Sequence, residues 1–369
     1  MPETTAREAY LSETRVLPLT LIRRDRMLPA AGEILVGPGQ RVEASDVVAR
    51  VELGGQFRTF EIARLLRVPP TQAVRYLKKG KDDAVKAGEI IARRRGFGVR
   101  PVRSPVDWMI VDIDERDGRV AIEVASQLFE LRAYVKGVVS NMLGRLGVVI
   151  ETPGALIQAA LGMGGESFGV LRSVSESPDE PLRASSFDIR AHGSIVVGGG
   201  WITASALEQA RQLQLKGMVA GSIEGDSLEA ARKMPFPIIV TEGVGRIRMA
   251  APIFELIRAQ DGREASINGE TQTRWGIVRP EVLIPLPAET RPPLPPAVGA
   301  PLTVGARVRV VRGPHVGYVG TVAAISPRAV RIEIGTRVHG AEVRFSLPSQ
   351  SGGPASTAFV PFANLELLR

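Results

Sequence analysis

Apolar and polar residues alternate one for one along several short stretches of this chain, the period of a strand with one buried face. The pattern predicts strands at 40–49, 84–92 and 104–114, the last turned back by Asp117-Gly118 into a hairpin. Between them, 59–79 predicts a helix around Ile62, Ala63, Leu65 and Leu66, broken at Pro69-Pro70. From 186 to 262 the period changes. Buried-type strands at 194–197, 217–221 and 236–241 alternate with helices, the first of them capped by Thr203 and carrying Ala206, Leu207, Ala210 and Leu213 on one face. Such alternation predicts a parallel α/β unit with right-handed crossovers. Residues 155–161 read as helix or loop, and 264–285 as strand again. No internal repeat stands out.

Two stretches resemble known families. Val85-x-x-Gly88-x-x-Ile91-Ala92, followed by Ser104-Pro105 and Ile110, is similar to the barrel-sandwich hybrid of lipoyl and biotinyl domains over roughly 31–124. The lysine triplets that carry the cofactor in that family are absent, so the resemblance implies the shape without a swinging arm. The run from Gly305 to Val322, with Val308 and Val310 alternating with Arg307 and Arg309, then Gly313-Pro314, Gly317 and Gly320, resembles the KOW motif of ribosomal proteins and of the NusG C-terminal domain. That resemblance implies an SH3-like barrel, non-catalytic, contacting RNA or a transcription or translation protein. Arg309, Arg312, His315 and Tyr318 match the turn that such domains use for contacts. Seven prolines from Pro285 to Pro301 read as an extended linker. The expected fold class is multi-domain and mainly β with an α/β unit. A lipoyl-like region with a helical insert spans 1–130, and a mixed β and α/β domain spans 131–283. A Pro-rich linker at 284–303 then leads to a KOW barrel at 304–369.

Composition narrows the chemistry. The chain of 369 residues has no cysteine, which excludes disulfides, thiolate metal sites and a cysteine nucleophile. No apolar run is long enough to span a bilayer and the first residues lack a signal-peptide core, so a cytoplasmic protein without membrane contact is expected. The net charge of +8 is uneven. Residues 131–298 hold 17 bases and 17 acids, whereas 299–369 hold eight bases, all Arg, against three acids. An Arg-only segment suits an anionic partner; it equally suits simple solubility under GC-rich codon usage.

Catalytic, metal and cofactor signatures are weak. His192, His315 and His339 lie in unrelated settings without ligand spacing. Gly165-x-Ser167-x-Gly169 fits a nucleophile elbow by letter, but its flanks do not read as strand and helix. No cofactor and no catalytic residue is expected. Glycine-rich turns at Gly198, Gly199, Gly200 and at Gly243 follow predicted strands, where open α/β sheets collect ligands. With Thr203, Ser222, Thr241 and Glu242 they form a candidate anion or small-molecule site; tight turns required by the fold are the plainer reading. The polar stretch with Asn268, Gln272, Arg274 and Trp275 reads as a hairpin or a recognition cluster. The basic run from Arg93 to Arg103, with Phe97, reads as a solvated loop or a nucleic-acid contact. The function expected is a binding or scaffold protein whose C-terminal barrel meets RNA or a transcription or translation protein. The alternative is an α/β unit that binds a small molecule or phosphate, with the barrels as accessories.

Overall fold

The computed structural model describes residues 9–53, 57–94, 101–105, 107–124, 127–271, 279–287, 290–292, 299–345 and 356–369. They form a mainly β protein with several sheets and a few short helices. The largest sheet is organised by strand Gly147–Gln158. Val16–Met27 pairs with it along most of its length. Its other edge is shared, first by Gly137–Met142 and then by Glu281–Pro285. Pro153, with no N–H to donate, sits at that changeover. Val149, Ile150, Ala155 and Ile157 are fully buried. The expectation of helix or loop over 155–161 is therefore corrected, since the strand runs through Gln158. A short apolar run fits either period, and here partners on both edges decide.

Strands and helices alternate from 195 to 258, as expected, and the strands pair in parallel. Glu166–Ser173, Ile195–Val197, Gly217–Ile223 and Ile238–Val244 lie side by side in parallel. Helix Ala204–Gln212 starts where Thr203 Oγ1 accepts the Ala206 N–H. It buries Ala206, Leu207 and Ala210 against Val196, Met218 and Ile238. Helix Ala251–Arg258 buries Ile253, Phe254 and Ile257 against Ile195, Val219 and Ile239 on the other face. Alternation along each strand thus feeds two cores at once. Ser167 sits within strand Glu166–Ser173, opposite Ile267, so no strand–turn–helix elbow forms around it.

Strands Val47–Leu53 and Gln127–Arg132 are antiparallel partners, with Leu53 opposite Gln127. Residues 57–124 are thus inserted at the tip of a hairpin, and residue 130 lies within a strand. The insert has its own core of Ile62, Leu66, Val85, Ile91, Trp108, Ile110 and Ile122. It also repeats its host's wiring. In the host, Val42 faces Gly137 and Val47 faces Arg132; in the insert, Val85 faces Trp108 and Ile90 faces Arg103. Ala133 N–H donates to Asp46 O and Val139 N–H to Gln40 O, matched by Ser104 to Glu89 and Ile110 to Asp83. A carboxylate closes each turn, Asp46 accepting from Glu43 N–H and Glu89 from Lys86 N–H. One motif therefore occurs twice, one copy inside the other. No repeat stands out in the sequence because the two halves are shifted in opposite directions, which no single period captures.

The last sheet has the order Ser12–Thr14, Leu365–Leu368, Arg307–Val310, Val319–Ile325, Gly340–Phe345, Thr357–Pro361. Val308, Val310, Val322, Val343, Phe345, Val360, Leu365 and Leu367 fill its core. Its first strand comes from the N-terminal side of the chain, runs parallel to Leu365–Leu368, and continues into Val16–Met27 of the large sheet.

Candidate functional site

The carboxyl ends of the parallel strands are filled by the chain itself. A Cβ at Gly199 would run into the Ser177 carbonyl and one at Gly200 would crowd Glu180, because segment 177–182 lies against this turn. Thr203 Oγ1 donates to Leu182 O at 2.9 Å. Ser222 Oγ lies 2.8 Å from the carbonyls of Gly245 and Ile247 and accepts the Ile247 N–H. Met249 N–H donates to Gly199 O and to Pro178 O. Thr241 is buried, and Glu242 Oε1 accepts the N–H of Ala250, just ahead of helix Ala251–Arg258. Gly243, with φ +114°, faces open space. The structure thus brings most of the candidate ligand residues together, each engaged by a neighbour.

Arg309 completes this arrangement from the other side. Its side chain is 1% exposed and reaches out of the C-terminal sheet into the α/β unit. Nη1 donates to Thr241 O at 2.9 Å and to Glu242 Oε1 at 3.2 Å, while Nη2 meets Glu366. Arg279 donates to Glu366 at 2.9 Å and to Thr14 Oγ1 at 2.8 Å. Two carboxylates and two guanidiniums balance. Burial pushes the Glu242 carboxyl above the usual glutamate range, against the pull of Arg309. Burial also works against Glu366, but the Arg309 charge with hydrogen bonds from Thr14, Arg309 and Arg279 holds it below that range. Desolvation opposes the charge on Arg309, and Glu242 and Glu366 more than restore it.

The contact role expected of Arg309 is therefore corrected: its guanidinium is consumed inside the protein. The neighbouring turn is largely engaged too. Arg248 of the α/β unit stacks over the Tyr318 ring, 5.3 Å from its centroid. Gly317, with φ +82°, lies against the Arg248 carbonyl. His315 and Tyr318 both pack on Phe345, at 4.9 and 6.4 Å between rings. Of the four residues proposed for partner contact, Arg312 alone is exposed.

A different row faces solvent. Arg307 pairs with Thr321, Thr321 with Arg344, and Arg344 with Thr357, so the four stand in line across four strands. All four are exposed. Two guanidiniums, two strand spacings or about 10 Å apart, alternate with two hydroxyls. The sequence offered one usable signal for this row, the shared parity of Arg307 and Arg309. It gave no sign that Arg344 would join Arg307 across the sheet.

No family model matches this chain, and no curated protein matches it. Among the described residues no group of three or more His, Asp or Glu could hold a metal ion, and no helix is long and apolar enough to cross a membrane. His192 Nδ1 lies 3.0 Å from Leu213 O, remote in contacts from His315 on Phe345. Gln272, Arg274, Trp275, Phe97 and the prolines at 293, 295 and 296 lie outside the described residues.

Proposed function

We propose that this chain is a non-catalytic scaffold that binds RNA, with the C-terminal sheet as one contact. The observation that carries this reading is the exposed row Arg307, Thr321, Arg344 and Thr357. Guanidinium forks match phosphate geometry, and hydroxyls add donors between them. The likeness of 305–322 to the KOW motif supports the same partner class, and so does the acid-poor composition of this segment. The α/β unit contributes as a platform rather than as a ligand site, because its strand ends already receive Met249, Ala250 and Arg309.

The test uses the full chain, since Ser12–Thr14 forms part of the C-terminal sheet and Glu242 would lose its partner in a fragment. Binding of an RNA oligonucleotide is followed by fluorescence anisotropy across a salt titration. The expected result is steep salt dependence, with Arg307→Glu/Arg344→Glu weakening binding and lowering the slope by about 1.4, or 0.7 per lost single-strand contact. Undiminished binding by that variant would remove the C-terminal sheet from the interface.

A further inference from the structure

The net positive charge of the molecule is confined to two places. Residues 299–369 carry a net +5, and the inserted lobe, 57–124, holds 15 bases against 10 acids, again +5. The remaining residues hold 24 bases against 26 acids. Within the lobe the bases are gathered by backbone pairing. Lys78 N–H donates to Ile91 O and Arg93 N–H to Tyr76 O, which lays 75–79 against 90–94. Ile90 pairs with Arg103 and Ala92 with Val102, which lays 101–103 on the other side. These three segments carry Arg75, Lys78, Lys79, Arg93, Arg94 and Arg103 and contain no acid. Lys79 is paired with Glu89 at 3.0 Å. The other five are exposed. Four of the lobe's ten acids sit around the hairpin turn, at Asp112, Asp114, Glu115 and Asp117, and Glu89 borders the strip beside Lys79.

We infer that this strip is a second nucleic-acid contact, gripping the phosphate backbone of the same single-stranded RNA that meets the C-terminal row. The inference rests on the RNA-scaffold reading and extends it to a bivalent grip. Neighbouring segments about 5 Å apart let one phosphate backbone meet several bases in succession. Like charges crowded on adjacent segments repel one another; a bound polyanion neutralises that repulsion, and the counterions it releases add an entropic gain. An RNA long enough to reach both sites binds the second at high effective concentration, so avidity exceeds either contact alone.

The experiment compares full-length variants on a labelled oligouridylate of about 16 nucleotides and on a long polyuridylate. Lys78→Glu/Arg93→Glu/Arg94→Glu is set against Arg307→Glu/Arg344→Glu. A control, Arg190→Glu/Arg211→Glu/Arg232→Glu, makes the same change in net charge on exposed residues of the α/β unit. The lobe variant is expected to lose about 2 from the salt slope, three contacts at roughly 0.7 each. Its affinity for the long RNA falls at least tenfold, while the control stays near the parent. A lobe variant no weaker than the control overturns the inference, and does so without touching the C-terminal reading if Arg307→Glu/Arg344→Glu still weakens binding. Equal binding of polyglutamate, with the same dependence on the lobe triple, would overturn the assignment to nucleic acid.

Discussion

Arg307 and Arg309 point to the same side of one strand, yet one meets water and the other is buried between two glutamates. Removing the buried guanidinium leaves Glu242 without its charge partner and Glu366 with Arg279 alone, a change that costs about 3–5 kcal/mol in such settings. Arg309→Ala is expected to lose that much in urea unfolding. The joint replacement Arg309→Met/Glu242→Leu should recover most of it, because Glu366 keeps Arg279 and no buried carboxylate is then left alone. The two glutamates give opposite pH signatures. Glu366 titrates below its ordinary value near 4.5, so its contribution is present above that pH and is lost as acid protonates the folded protein. Glu242 titrates above the ordinary value, so its contribution is full below about 4.5 and fades as pH rises through the folded value. Unfolding free energies measured from pH 3 to 7 should flatten on the acid side in Glu366→Gln.

Among the elements, those read correctly from the sequence are the ones whose local pattern and surroundings agree. Thr203 caps its helix, Ala206, Leu207 and Ala210 face a core, and Asp117-Gly118 turns the hairpin as alternation and turn chemistry require. Ala155 to Gln158 escaped because a short apolar run carries no period of its own. The candidate ligand site was legible in part. Gly198–Gly200 and Thr241–Gly243 do sit at strand ends, but what covers them comes from 177–182, 245–250 and Arg309, remote in sequence. Gly199 is thus a packing residue. Gly199→Ala forces its methyl group against the Ser177 carbonyl and is expected to cost about 1–3 kcal/mol, read as a lowered melting temperature.

For the molecule as a whole, the nested lobe and the shared N-terminal strand matter most. Leu53 and Gln127 already face each other across a hairpin, so the host needs nothing from 54–126 to close it. Replacing those residues by Asn-Gly, a two-residue hairpin turn, should leave a chain that still melts cooperatively, as followed by circular dichroism. Under the bivalent reading it retains only the C-terminal share of RNA binding. Loss of the host's cooperative transition would show that the lobe is structurally required. The strand Ser12–Thr14 has a further consequence for how the protein is made. Its partner lies at the other end of the chain, with Glu13 and Arg369 separated by 356 positions. During synthesis that early strand waits, unpaired, until Glu366–Leu368 has left the ribosome. The C-terminal sheet therefore cannot close before Leu365–Leu368 is made, and a chain stalled or clipped ahead of it keeps an open strand edge for which other chains can compete.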